Sequence, residues 1–135
     1  LTGGNGTDNF VFEAVSHGGT VLSNTTATSA GITGDTITDF KDNNDADALL
    51  FLNSTFGNLG AGVLNSSNFV TLSSAYDGTN STKSSGSKAF IFDQTKTLYF
   101  DSATDETGND VNAGYQVMAT LNVTISNTDI EIFNI

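Results

Sequence analysis

The glycine-rich stretch at the start of the chain has the residue types and the spacing of a metal-binding turn. Residues 3–11 read G-G-N-G-T-D-N-F-V and fit the nonapeptide G-G-x-G-x-D-x-U-x at every fixed position. Glycine reaches φ > 0, so the backbone can turn sharply and direct carbonyl oxygens at a cation. Asp8 adds a carboxylate at the sixth position, and an all-oxygen ligand set suits a hard ion such as Ca²⁺. The alternative is a glycine-rich turn that arose by chance.

A second acidic segment, residues 35–40, reads D-T-I-T-D-F and has the alternation of a β-strand. Because side chains alternate between the two faces of a strand, residues 35, 37 and 39 should lie on one face. Asp35 and Asp39 would then present two carboxylates on the same side, which makes them candidates for the same site. The alternative is that both are solvated charges at a strand edge.

Two further acidic loops have residue types that could hold a cation. The first contains Asp101, Asp105 and Asp110, and the second contains Asp42, Asp45 and Asp47. Carboxylate oxygens are calcium ligands, but an acidic loop between strands is more often merely solvated. We treat the first loop as a second candidate site and rank the other loop lower.

The sequence gives no sign of catalysis. It contains no H-E-x-x-H, no G-x-S-x-G and no cysteine nucleophile, and no basic residue is placed to bind phosphate. The single histidine, His17, precedes two glycines and is better explained as a loop residue than as a base. We therefore predict that this chain is not an enzyme and that any activity belongs to segments upstream of it.

Charge and composition narrow the choice of partners. The 135 residues carry a net charge of −11, with four lysines as the only Lys or Arg residues. Nucleic acid and anionic membranes are poor partners for such a surface, whereas cations are good ones. The chain has no cysteine for a disulfide or a thiolate metal site. It also has no apolar run of transmembrane length, so no membrane span is predicted.

The hydrophobic pattern predicts an all-β chain. Residues 10–15 should form a strand that continues the nonapeptide, and residues 89–100 should form a hairpin around a turn at 93–96. Residues 115–123 alternate strictly between apolar and polar types, as expected of a half-buried strand. The segment 73–87 is polar and low in complexity, which favours a surface loop.

Together these motifs resemble the C-terminal end of a bacterial RTX protein, the haemolysin-type calcium-binding repeat proteins exported by type I secretion systems. Residues 1–12 resemble the last nonapeptide, and D-T-I-T-D-F followed by Asp45, Asp47 and Leu49 resembles the segment after the roll. Residues 89–101 (A-F-I-F-D-Q-T-K-T-L-Y-F-D), with 119–121 and 129–130, resemble the common ending of such chains. Two features depart from the pattern: Lys96 stands where a turn glycine is usual, and the acidic loop at 101–110 is stretched.

The resemblance implies a fold and a set of ligands. The expected fold is the end of a calcium-binding parallel β-roll in residues 1–52, leading into a β-sandwich-like secretion-signal region in residues 53–135, as one domain of a longer protein. Calcium would lie between stacked turns. If the ligand pattern of the family is applied to this sequence, the ligands would be the carbonyls of Gly3, Asn5 and Gly6 and the carboxylate of Asp8. Asp35 or Asp39 would supply the last carboxylate of the site.

The resemblance also implies a secreted, extracellular protein that crosses the envelope unfolded through a type I ABC exporter. Residues 127–135 have the form of its uncleaved signal, with a polar turn, an acidic residue and alternating apolar residues. The rival interpretation is a carbohydrate-binding module, or a lattice-contact unit of an S-layer or adhesin, that uses calcium to bind glycan or like subunits. Aromatic side chains exposed on one sheet face would favour glycan binding.

Overall fold

Short strands joined by polar turns form two β-sheets in the computed structural model of this protein, which describes residues 1–14, 17–18, 21–22, 34–105 and 115–135. Helical residues in these ranges are confined to short 3₁₀ turns. The all-β class predicted from the sequence is therefore confirmed. The strands are β1 (Asn9–Phe12), β2 (Val21–Leu22), β3 (Asp35–Ile37), β4 (Ala48–Leu52), β5 (Gly62–Val63), β6 (Phe69–Thr71), β7 (Ala89–Phe92), β8 (Thr97–Asp101), β9 (Tyr115–Leu121) and β10 (Ile130–Phe133).

The two sheets differ in strand direction. The first sheet has the order β1-β4-β10-β5, and its first three strands are parallel. The second sheet has the order β2-β9-β8-β7-β6, with β3 also paired to β9 in parallel. The predicted hairpin is confirmed as β7 and β8, which are antiparallel. Its turn contains Lys96 at φ 59, a conformation that explains why glycine suits this position.

Three units, each with a polar turn that leads into a parallel strand of the first sheet, are stacked on one another. The first unit is residues 1–12, the second is 35–52 and the third is 119–133. Within each unit a polar turn leads from the second sheet to the first; we call residues 2–8, 38–47 and 122–129 the first, second and third turns. The stacking is parallel throughout, since β1 pairs with β4 and β4 with β10, while β3 pairs with β9.

The first unit also joins the second sheet at its beginning. The Leu1 ammonium group donates to the Thr36 carbonyl, and the Thr38 N–H donates to the Leu1 carbonyl at 3.2 Å. The regions predicted as a roll cap, 1–52, and a C-terminal region, 53–135, therefore share both sheets rather than forming separate ones.

The main core lies between the sheets and is dominated by phenylalanine. Phe10 and Phe12 are buried while Val11 between them is exposed, as expected for a strand with one face on the core. The Phe12 ring stacks on Phe51 of the neighbouring unit with centroids 4.7 Å apart. Burying each such side chain stabilises the fold by about 1.5–3 kcal/mol, so the stacked units are held mainly by this apolar layer.

A smaller apolar cluster covers the other face of the second sheet. All four residues of β7 are buried because its sequence, A-F-I-F, is apolar on both faces. Phe90 and Phe92 face the main core, whereas Ala89 and Ile91 belong to the second cluster. The surface loop predicted at 73–87 lies within the segment 73–88 that joins β6 to β7. This segment supplies Tyr76 to the cluster, and Tyr76 is only 5% exposed. Part of this loop is therefore a covering layer of the sheet.

Candidate functional site

The first turn adopts the conformation that its glycines permit. Gly4 and Gly6 have φ values of 96° and 107°, which L-residues with a Cβ rarely adopt. Gly3 is required for another reason, since a Cβ at this position would lie 2.5 Å from the Asp8 Oδ2 atom. The carboxylate of Asp8 therefore folds back over the start of its own turn.

The first turn contacts the second turn through its backbone amides. The N–H groups of Gly3 and Gly4 donate to the two oxygens of Asp39, at 3.1 and 2.9 Å. The Gly6 N–H donates to Asp45 Oδ2 at 3.1 Å. The bonds from Gly4 and Gly3 lower the pKa of Asp39 below its ordinary value, because they stabilise the ionised carboxylate.

The direction of these amides fixes the direction of the neighbouring carbonyls. In a trans peptide unit the C=O group points opposite to the N–H group, and no cis peptide is found in the described chain. The Gly3 carbonyl shares a peptide unit with the Gly4 N–H, so it points away from Asp39. The Asn5 carbonyl, which shares a unit with the Gly6 N–H, points away from Asp45 in the same manner. The Gly3 carbonyl therefore does not converge with the Asp39 carboxylate on one ion, and the Asn5 carbonyl does not converge with that of Asp45.

The two aspartates of the D-T-I-T-D-F segment have different environments. Asp39 bonds to the first turn as described, whereas Asp35 lies at the start of β3, paired in register with Ala119 of β9. Ile37 between them is fully buried. The structure thus brings Asp39 to the glycine turn and places Asp35 within the second sheet.

An aspartate directly precedes each of the three parallel strands of the first sheet. These residues are Asp8 before β1, Asp47 before β4 and Asp129 before β10. Asp47 accepts the Asp8 N–H at 2.9 Å and the Lys41 N–H at 2.8 Å, one on each oxygen. Sequence reasoning ranked Asp47 low; the signal that could have found it is this recurring aspartate one residue before an apolar strand.

The carboxylate oxygens of these three aspartates do not all have hydrogen-bond partners. Asp129 accepts from the Lys41 ammonium group at 2.6 Å and from the Ser126 N–H at 2.8 Å. In contrast, the Oδ2 atom of Asp8 is buried and has no hydrogen-bond partner among the described residues. A buried carboxylate oxygen without a donor is unfavourable and calls for a cation or a water molecule.

The second and third turns are joined by amino and amide groups. The Lys41–Asp129 ion pair is the main contact, and Asn122 Nδ2 donates to Asp42 Oδ1 at 2.8 Å. The Lys96 ammonium group donates to the Asn122 carbonyl at 2.7 Å. This junction therefore contains two lysines, while the junction of the first and second turns consists of amides and carboxylates.

The aspartates of the second predicted cation loop accept hydrogen bonds from neighbouring segments in the described residues. Asp101 is fully buried and accepts from the Tyr76 hydroxyl at 2.6 Å and from the Ala103 N–H at 2.9 Å. Asp105 accepts from the N–H and the hydroxyl of Ser81, at 2.9 and 2.7 Å. Both carboxylates therefore hold the 73–88 segment against the sheet. Asp110, the third predicted residue, lies outside the described residues.

The covering layer contains a tyrosine cluster. Asp93 Oδ2 accepts from the Tyr76 N–H and the Tyr99 hydroxyl, both at 3.0 Å. The rings of Tyr76, Tyr99 and Tyr115 contact one another, with centroids 4.8–5.6 Å apart. Burial raises the pKa of all three hydroxyls, that of Tyr115 to about 12. The Tyr76 and Tyr99 hydroxyls therefore act as hydrogen-bond donors to aspartates rather than as acids in ordinary conditions.

Side-chain carboxylates alone do not build a metal site in the described ranges. No three His, Cys, Asp or Glu side chains converge closely enough there to hold an ion. Any metal site at the first turn must therefore use backbone oxygens in addition to Asp8.

No aromatic side chain is exposed. The ten Phe and three Tyr residues all lie in described ranges, and each is buried except Phe69 and Phe133, which are half-buried. The four lysines donate to Asp129 or to the carbonyls of Ser67, Gly57 and Asn122.

Comparison of the chain with protein-family models, curated proteins and solved structures returned no match. In the parts of the chain that the structure describes, no helix combines the length and the apolar character needed to cross a membrane.

Proposed function

We propose that this chain is the calcium-binding C-terminal cap of an extracellular RTX protein, ending a parallel β-roll and carrying a type I secretion signal. The single observation that best supports this proposal is Asp8 Oδ2, a buried carboxylate oxygen without a hydrogen-bond partner in the described chain. It belongs to a turn whose sequence is a complete nonapeptide. A cation is the natural partner for such an oxygen.

The ligands expected at the first turn are one carboxylate and backbone oxygens. Asp8 would supply the charge, and the carbonyls of Gly3 and Asn5, with that of Gly6, would supply neutral oxygens. Calcium is commonly coordinated by carboxylate and carbonyl oxygens together, at Ca–O distances of about 2.3–2.6 Å. Asp39 has a different role in this proposal: by accepting the Gly3 and Gly4 N–H groups it holds the turn in the conformation that orients the carbonyls.

The strand pairing is what supports the β-roll part of the proposal. Three units stack in parallel with polar turns on one side and phenylalanine inside. In such an arrangement each unit buries its apolar residues against the next. Bound calcium would neutralise part of the net charge of −11, which otherwise opposes a compact state.

Calcium binding would couple folding to export. Extracellular sites bind with Kd values of about 10⁻⁴–10⁻³ M, so the first turn would be empty in the cytosol and occupied outside. At about ten times Kd one site adds on the order of 1.4 kcal/mol to stability. The chain would therefore cross the exporter unfolded and gain stability after release.

The carbohydrate-binding alternative has less support, since a glycan platform needs exposed aromatic rings and all thirteen are buried or half-buried. A calcium-dependent lattice contact has no specific observation in its favour.

Calorimetric titration with calcium tests the proposal. We expect the wild-type protein to bind calcium and Asp8→Asn to lose this binding. Glu131→Gln is the matched control, because it also removes one negative charge but from an exposed position on β10. Equal calcium binding by Asp8→Asn and the wild type, or no binding by the wild type, would contradict the proposed function.

A further inference from the structure

A lysine provides the positive charge at the third turn. The Lys41 ammonium group lies 2.6 Å from Asp129 Oδ1, and the Asp129 side chain is only 8% exposed. The other Asp129 oxygen is occupied by the Ser126 N–H. Lys41 is thus the counter-charge of a nearly buried carboxylate, which would be costly without it.

The second turn fixes the position of Lys41. Its backbone lies in the left-handed region, with φ 56, which few residues other than glycine adopt readily. Its N–H donates to Asp47 Oδ2 at 2.8 Å, and the other Asp47 oxygen accepts the Asp8 N–H. Asp47 therefore supports both the first turn and the residue that reaches the third turn.

The first turn has no comparable lysine. The ammonium groups of the other three lysines donate to the carbonyls of Ser67, Gly57 and Asn122, and the sequence has no arginine. Asp8 and Asp129 both directly precede a strand of the first sheet, yet Asp129 is paired with an ammonium group and Asp8 has a buried oxygen without a partner. The third turn also has one such oxygen, Asn122 Oδ1, but it belongs to a neutral amide and not to a carboxylate.

We propose that Lys41 is a tethered cation that replaces a metal ion at the third turn, so that metal binding is confined to the first turn. This inference rests on the proposed function in assigning an ion to Asp8. Its consequence is a division of the stack: the second and third units pack together without metal, while the first unit depends on it. Calcium then adds its stability to the fold through the outermost unit.

The test compares melting temperatures in EGTA and in calcium for the full 135-residue chain. Lys41→Met should melt well below the wild type in EGTA, and calcium should raise its melting temperature more than it raises that of the wild type. This is expected because the ion would now also neutralise Asp129. Lys88→Met is the matched control, since it removes an ammonium group that donates to the Gly57 carbonyl far from the stacked turns.

Two further variants keep the test decisive if Lys41→Met does not fold in EGTA. Lys41→Arg retains the charge and should behave as the wild type. Lys41→Met combined with Asp129→Asn removes the need for a cation, so it should regain stability in EGTA and lose the additional calcium response. A calcium response of Lys41→Met no larger than that of the wild type would overturn the inference, as would a loss in EGTA no larger than that of Lys88→Met.

The outcomes separate this inference from the proposed function. A wild-type melting temperature unaffected by calcium contradicts the proposed function at the first turn. The Lys41→Met response then decides the present inference alone: a calcium-dependent increase in that variant supports the tethered cation, and no increase overturns it.

Discussion

Single carboxylates have distinct roles at the stacked turns although the sequence presents them as one acidic group. Asp39 and Asp45 accept hydrogen bonds from backbone N–H groups of the first turn, and Asp47 accepts them from the first and second turns. Asp8 retains a buried oxygen without a partner. Each additional donor to a carboxylate stabilises its ionised form. The candidate metal ligand is therefore the aspartate whose buried oxygen lacks a donor, not the most acidic stretch of the chain.

Asp39→Asn should weaken the protein at neutral pH and make it less sensitive to acid. The folded-state pKa of Asp39 lies below its ordinary value of 3.8. Its contribution to stability is therefore fully present above that ordinary value and is lost as the pH falls through the lower, folded-state pKa. In EGTA, we expect a melting temperature lower by a few degrees at neutral pH, and a smaller decrease on acidification than in the wild type.

Asp35→Asn provides the comparison for this prediction, because Asp35 belongs to the same predicted pair but lies within the second sheet. The melting temperatures of both variants and of the wild type are to be measured at a series of acid pH values. An acid profile of Asp39→Asn that parallels the wild type would contradict the role assigned to the two glycine amides.

At the scale of elements, the second sheet is covered on one side by the first sheet and on the other by the 73–88 segment. This segment contains no regular strand, and hydrogen bonds to Asp101 and Asp105 hold it in place. The Tyr76 hydroxyl and N–H bond to Asp101 and Asp93, so one residue joins the segment to two strand ends. The acidic loop at 101–105 therefore helps to close the outer layer.

Tyr76→Phe should loosen this layer. The substitution keeps the ring but removes the donor to Asp101, and a buried carboxylate that loses a donor costs about 1–3 kcal/mol. We expect a melting temperature lower by several degrees and faster proteolysis within residues 73–88. Ser73→Ala, at an exposed position of the same segment, is the control. Equal proteolysis of the two variants would show that the Tyr76–Asp101 bond does not hold the layer.

At the scale of the whole molecule, the last strand belongs to the centre of the fold. β10 lies between β4 and β5, and Ile130 and Ile132 are buried in the main core. The segment proposed as an export signal is thus also a core strand in the folded state. These two roles are compatible if the signal is read from the unfolded chain and the strand forms afterwards.

Fusion of residues 1–135 to a passenger, in a host with a cognate type I exporter, tests the export signal. A chain that ends at Asn127 lacks β10 and should leave the passenger in the cell. Asp8→Asn keeps the C-terminal segment and should still be exported, but it should fold less completely in the medium. Equal passenger in the medium from the truncated and complete chains would mean that the tail has only a structural role.

Local patterns in the sequence were sufficient for the fold class, the hairpin and the glycine turn. Alternating apolar residues specify strands, and the nonapeptide glycines specify a turn, because both effects depend on neighbours along the chain. The pairing of distant segments was not determined locally. The junction of Lys41 with Asp129 joins residues 88 positions apart, and only the parallel stacking of the units brings them together.

The tertiary structure also decided which oxygens could face a metal ion. The sequence identified Asp8 and the carbonyls of the glycine turn. The hydrogen bonds from the backbone N–H groups of this turn to Asp39 and Asp45 set the direction in which the neighbouring carbonyls point. The tertiary structure likewise places Asp101 and Asp105 against the covering layer, since their hydrogen-bond donors come from Tyr76 and Ser81. Residue types determine which ligands are available, whereas the hydrogen bonds between stacked segments determine which of them remain free to bind.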